Sequence, residues 1–279
     1  MNPASSPSTS WTPGLAGTGL VVRYHKHQPP VVAGQSVTIP TGKITVFVGP
    51  NGSGKSTLLK ALARQLTPED GSVILDGRDI ATLPAREVAR RLGILFQENM
   101  APNDLTVEEL AFHGRYPHRR IFESVTEEDR RAVAEALCLA GARDLRNRPV
   151  SQLSAGQKQL AWIAMLLAQA PQYLFLDEPT TFLDLVHQFD VMELVRRLNR
   201  EQGKTVLLVV HDLNLAARYA DHVFALREGR IVASGTPAEV FTAATLRDVF
   251  EVEAQIIRDE ASGTLWCMPT GRCLNKETA

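Results

Sequence analysis

Four short stretches of the chain are apolar on both faces rather than alternating: "KITVFVG" (43–49), "LGILFQ" (92–97), "YLFLD" (173–177) and "TVLLVVHD" (205–212). Continuous apolar, β-branched runs of this length are the mark of strands buried from both sides. Between them the period lengthens. Leu59, Leu62 and Leu66 recur at i, i+3 and i+7 after "GSGK", and Val191, Leu194, Val195 and Leu198 follow the same rhythm after Asp184. Those spacings predict helices with one buried face. Strands alternating with helices predict an α/β domain with a largely parallel sheet covered on both sides.

Two regions break the rhythm. "SVILDG" (72–77) and the pair "HVFALREG" and "RIVASG" (222–235) read as antiparallel strands closed by glycine-containing turns, which makes the sheet content mixed. From 98 to 170 only helical pattern is present. One helix there is expected to open at "SVTEED", where Ser124 and Glu127 have capping-box spacing. It places Val133, Ala136, Leu137 and Ala140 on one face and stops at Gly141. The stretch 98–170 is therefore read as a helical subdomain inserted in the α/β core. The Pro-, Ser-, Thr- and Gly-rich start predicts a disordered tail over 1–17, with the main domain over 18–254 and a C-terminal extension over 255–279.

The first apolar strand runs into "GPNGSGKST", and Gly49 to Ser56 fits G-x-x-x-x-G-K-[ST] in full. Strand before and helix after are the context this phosphate-binding loop requires. Gly49, Gly52 and Gly54, with Asn51 and Ser53 between them, let backbone N–H groups close on phosphate oxygens. Lys55 is expected to reach the β- and γ-phosphates, Ser56 to ligate Mg²⁺, and Thr57 to add a hydroxyl from the first helical turn. Asp177 ends a second strand, where a carboxylate can hold the metal through water, and Glu178 follows it directly. Alternation along a strand would send the two carboxylates to opposite sides, one to the metal and one to an attacking water. His211 ends "LLVVH" at the sheet edge where α/β proteins bind ligands, and is expected to touch the γ-phosphate. These residues predict nucleoside triphosphate hydrolysis. A second anion-binding helix start lies in "LSAGQKQL", where Ser154 would cap the helix carrying Leu160, Ile163, Ala164 and Leu167.

Composition narrows the setting. With 30 Lys+Arg against 31 Asp+Glu, the net charge of −1 sets up no field for nucleic acid, and none is expected as a partner. The densest basic stretches, Arg115 to Arg120 and the Arg90–Arg91 pair, read as solvated helix ends. Three cysteines without C-x-x-C spacing fit a reducing compartment rather than a disulfide or zinc framework, and Cys138 reads as a small core residue within its helix. The start of the chain lacks the charge and apolar run of a signal peptide. Its most apolar stretch, Leu160 to Ala168, is too short to cross a bilayer.

Taken together and in this order, the motifs resemble the ATP-binding subunit of ABC transporters from about Gly19 to Phe250. "GPNGSGKST" is similar to the Walker A loop, "LFLDEP" to Walker B with Glu178 as catalytic base, and "LSAGQ" to the ABC signature. "TFLD" with Asp184 is similar to the D-loop, "VVHD" with His211 to the switch histidine, and Gln97 to the Q-loop glutamine. The resemblance implies a P-loop NTPase core with an antiparallel β subdomain and the inserted helical subdomain. It also implies a head-to-tail homodimer with ATP and Mg²⁺ sandwiched between subunits. Each site would join one subunit's Lys55 loop to the other's Ser154, Gly156 and Gln157, with Asp184 alongside. Tyr24 would stack on adenine, and Ser56, Gln97 and Asp177 would surround the metal. The helical subdomain would meet membrane permease subunits on the cytoplasmic face of the inner membrane, with a substrate-binding protein acting indirectly.

"APNDLTVEELAFHGRYPH", "LSAGQKQLAWIAM" and "LDEPTTFLDLVHQ" resemble importers of ferric siderophores and related chelates, with cobalamin or haem import, or a soluble ABC ATPase of iron–sulfur assembly, as alternatives. Two positions depart from the family pattern: Ala155 stands where glycine is usual, and Leu160 where arginine is frequent. A methyl group at 155 opposes positive φ, so a weakened or shifted phosphate contact is expected there.

Overall fold

The computed structural model describes residues 13–273, apart from 98, 100, 101, 103, 121, 122 and 262. Strand β1 (Pro13–Val22) lies between β2 (Val32–Pro40) and β4 (Asp70–Leu75), and β5 (Arg78–Asp79) closes this antiparallel sheet. The expected tail is thereby corrected: 13–17 are strand, and 1–12 lie outside the described residues. β3 (Ile44–Val48) starts the second sheet and leads through the glycine loop into α1 (Lys55–Leu62). Next come α2 (Ala85–Arg91) and β6 (Leu92–Leu95). The insertion follows, with α3 (Val107–His113), α4 (Glu127–Leu139) and α5 (Ala155–Ala168). The chain then returns through β7 (Tyr173–Asp177), α6 (Leu185–Gln202), β8 (Thr205–Val209), α7 (Leu213–Tyr219) and the hairpin β9 (His222–Arg227) and β10 (Arg230–Gly235). Short α8 (Pro237–Val240) and α9 (Ala243–Phe250) precede a last hairpin, β11 (Val252–Arg258) and β12 (Leu265–Arg272).

The second sheet has the order β10-β9-β3-β8-β7-β6, parallel throughout except for the β9–β10 pair. The α/β reading with a mixed, largely parallel sheet therefore holds. Alternate residues of its strands enter two separate cores, as a period of two requires. Val46, Leu174, Leu208 and Val223 face the core shared with α5, α6 and α7. Phe47, Phe175, Leu207 and Phe224 face the core shared with α1 and the antiparallel sheet.

Several expectations change at the level of single residues. The cap of α4 is Thr126, not Ser124: Thr126 Oγ1 accepts from Asp129 N at 3.2 Å, and Asp129 Oδ2 accepts from Thr126 N at 3.1 Å. Both pairs have the spacing, and at the later one Asp129 is also bound by Arg115. Arg115 is not a solvated helix end; its side chain is 3% exposed and donates to Asp129 Oδ1 at 2.8 Å and to Ala168 O at 3.0 Å. This pair ties α4 to the segment after α3 and to the end of α5. Cys138 lies in α4 but is exposed, and the buried cysteine is Cys267. The 254/255 boundary cuts through β11, and Cys267 on β12 belongs to the main core, so the last hairpin is packed onto the domain.

Candidate functional site

The loop between β3 and α1 depends on glycine for two distinct reasons. Gly49 (φ 151°) has Leu226 O at 2.1 Å from where a Cβ would sit, and Gly54 (φ 96°) has Val31 O at 2.8 Å. Gly52 (φ 78°) faces open space, so only its backbone conformation demands glycine. Helix α1 starts at Gly54 without any side-chain cap, which leaves its first N–H groups for an external acceptor. Ser53 Oγ is buried and has no hydrogen-bond partner among the described residues. Lys55 Nζ folds back onto Gly49 O and Pro50 O, each at 2.9 Å. Burial lowers the Lys55 pKa against the pull of Glu178 and Asp177. The loop is a cradle for anionic oxygen with its cation already inside.

Ser56 Oγ donates to Asp177 Oδ1 at 2.7 Å, which brings two hard oxygen donors together beside the loop. Burial pushes the Asp177 carboxyl above the usual range, with the Ser56 bond opposing. Such a pair fits Mg²⁺, which prefers oxygen ligands and would relieve the buried charge. Thr57 Oγ1 shares a 3.0 Å hydrogen bond with the Tyr24 hydroxyl, and Tyr24 itself is half exposed at the loop's edge.

Strand alternation does not separate the two carboxylates. β7 ends at Asp177, and Glu178 turns out of the strand with φ 53°, a left-handed conformation in which its N–H donates to Val209 O at 3.1 Å. A glutamate held there is strained by about 1–3 kcal/mol, a cost that clusters at functional sites. The turn gathers three groups around one carboxylate. Gln97 Nε2 donates to Glu178 Oε2 at 2.8 Å and Thr181 Oγ1 donates to the same oxygen at 3.1 Å. His211 Nε2 lies 2.5 Å from Oε1. These four residues, with Asn51 and Gly52, line an open cleft of about 510 Å³ next to the loop. Thr181 was missed by sequence reasoning; its only signal was a position three residues beyond Glu178.

The second turn is built as expected but stands apart. Ser154 caps α5, its Oγ accepting from Gln157 N at 3.3 Å while Gln157 Oε1 accepts from Ser154 N at 3.2 Å. Ala155 is the first helical residue and has negative φ, so the methyl group opposes nothing in the backbone there. Gly156 is buried against His187, another residue that sequence reasoning passed over. Asp184 caps α6 and accepts from His187 N at 2.9 Å. Among the described residues, none of 153–160 lines the cleft around Glu178.

Residues 32–181 match the family model described as ABC transporter. The chain belongs to the ABC transporter family. It is 47% identical over 258 residues to the ferric enterobactin transport ATP-binding protein FepC of Escherichia coli (strain K12), covering 92% of this chain and 94% of that protein. It is 48% identical over 246 residues to the probable siderophore transport system ATP-binding protein YusV of Bacillus subtilis (strain 168), covering 88% and 90%. Among solved structures it resembles a dimeric post-hydrolysis state of the ATP-binding cassette MJ0796 bound to ADP and Pi. That likeness has a TM-score of 0.70 and 28% identity, and covers 80% of this chain and 98% of that one. As a member of this family the chain is an ATP-binding, ATP-hydrolysing transport subunit, and none of its described helices is long and apolar enough to cross a membrane.

Proposed function

We propose that this subunit powers the import of ferric siderophores, docked on the cytoplasmic face of a membrane permease and supplied by a substrate-binding protein. The names of the relatives support the cargo, and the carboxylate of Glu178 held between Gln97, Thr181 and His211 supports the chemistry. Two subunits join head to tail, each nucleotide lying between one chain's Lys55 loop and the other's Ser154 turn. The separation of that turn from the cleft within a single chain supports this pairing.

In this reading the loop N–H groups of Gly49 to Thr57 hold the phosphates, with Asn51 and Ser53 among them, and Tyr24 covers the adenine. Glu178 takes the proton from the water that attacks the γ-phosphorus as the bond to ADP breaks. Lys55 neutralises the charge that develops on the transferred group, and His211 orients it. Ser56, Asp177 and Gln97 would hold Mg²⁺, which when bound neutralises phosphate charge. Gly156, Gln157 and Asp184 complete the partner's half of the site.

The experiment is Glu178→Gln in the full chain. The variant is expected to bind ATP, lose hydrolysis by on the order of 10²–10⁴-fold and accumulate as an ATP-bound dimer on size exclusion. Hydrolysis at the parental rate would show that Glu178 is not the base. A chromosomal deletion is expected to abolish growth on ferric siderophore as sole iron source. Loss of cobalamin or haem use instead would reassign the cargo.

A further inference from the structure

The D-loop and the signature turn meet inside one chain at the side chain of His187. His187 lies in the first turn of α6, three residues after Asp184, and its ring nitrogen Nδ1 is 2.8 Å from Asp184 Oδ1. The same carboxylate oxygen accepts the His187 backbone N–H at 2.9 Å. Facing a carboxylate, Nδ1 must be the donor, and this fixes the plane of the ring. These bonds, backbone first, hold the Asp184 carboxyl below its usual range. The far side of the ring fills the space over Gly156. A Cβ there would lie 2.4 Å from His187 Cδ2, 2.6 Å from Cγ and 2.9 Å from Nε2. Gly156 follows the capping residue Ser154 by two positions, in the first turn of α5. Any rotation of the D-loop cap therefore moves a rigid ring against the turn that presents Ser154.

We propose that His187 is a positioning residue that locks the D-loop carboxylate Asp184 to the signature turn Ser154–Gly156, so that both reach the nucleotide across the dimer as one rigid unit. The inference rests on the reading that these two segments complete the partner's site. His187 is not among the residues that line the Glu178 cleft. Its loss leaves the Lys55 loop and Glu178 untouched but lets the partner-facing half of the site drift. Misplacement on the scale of 1 Å costs up to about 10²-fold in rate.

The test uses the full chain and three substitutions. Asn at 187 places an amide nitrogen near Nδ1 and an oxygen near Cδ2, preserving both contacts. Phe keeps the ring and loses the donor, and Ala loses both. His187→Ala is expected to bind fluorescent ATP as a monomer with parental affinity and to melt as a folded protein, with kcat reduced by on the order of ten- to a hundredfold. In the Glu178→Gln background, His187→Ala and His187→Phe are expected to raise the ATP concentration needed for dimerisation, and His187→Asn to restore it. The inference is overturned if His187→Ala dimerises at the same ATP concentration as Glu178→Gln alone, or if Phe rescues and Asn does not. If Glu178→Gln alone forms no ATP-dependent dimer, the composite-site reading fails and takes this inference with it.

Discussion

Replacing Arg115 with alanine isolates the brace of the helical subdomain. The guanidinium is 3% exposed, and its loss strips partners from Asp129, whose side chain is 4% exposed, and from the carbonyl of Ala168. Burial alone would raise the Asp129 carboxyl, but the bonds from Arg115 and Thr126 outweigh it and bring the pKa down from 3.8 to about 2. A shift of that size corresponds to roughly 2 kcal/mol of stability. Because the folded pKa lies below the unfolded one, this contribution is complete above pH 3.8 and is lost as pH falls through about 2. Leaving the carboxylate buried and underpaired adds a desolvation cost, so Arg115→Ala is expected to cost about 3–5 kcal/mol. Urea unfolding followed by tryptophan fluorescence, to which Trp162 of α5 contributes, reads the loss. The paired change Arg115→Met with Asp129→Leu should recover part of it, since no charge then stays buried, while Thr126 N and Ala168 O still lose their partners. A single-variant cost under about 1 kcal/mol would refute the reasoning, because it is the value of a hydrated surface pair.

Other substitutions separate effects that look alike in sequence. Gly49→Ala should abolish ATP binding and lower the melting temperature, because its methyl group runs into the backbone carbonyl of Leu226. Gly52→Ala meets only a left-handed backbone penalty of about 1–2 kcal/mol, and calorimetry with ATP compares the two. Thr126→Ala should destabilise by about 1 kcal/mol, whereas Ser124→Ala should leave urea midpoints unchanged. Ala155→Gly should preserve ATPase activity while costing up to about 1 kcal/mol at the start of α5, since the helical φ there needs no glycine. A large activity gain would show that the methyl group obstructs the partner's phosphate.

Most of the central sheet was legible because its physics is local: the strands carrying Val46, Phe175 and Leu207 are apolar on both faces, a pattern that a doubly covered parallel sheet absorbs. The glycine loop was legible for the same reason, with strand, loop and helix adjacent in sequence. β1 was not. Its "PGLAGTGLVV" has the composition of a linker and becomes strand because β2 and β4 pair it on both edges, with a register shift around Gly19. The last hairpin was hidden likewise, its packing resting on α7 and on Asn214, which accepts from Cys267 N at 2.7 Å. The burial of Arg115, in the turn after α3, was illegible because its partner Asp129 lies in α4. At Glu178 the residue was legible and its geometry was not. The left-handed turn that collects Gln97, Thr181 and His211 depends on β8 lying beside β7.

The position of β3 between β8 and β9 governs how the protein can be made. The strand carrying the phosphate loop leaves the ribosome early, but roughly 160 residues must follow before either neighbour exists. At ordinary elongation rates this takes on the order of ten seconds or more. Until then "ITVFV" has both edges open and both faces apolar, an aggregation-exposed species in a slow, high-contact-order topology. Chains released before residue 205 should require holding by a chaperone, and full-length synthesis should be the step at which nucleotide binding first appears.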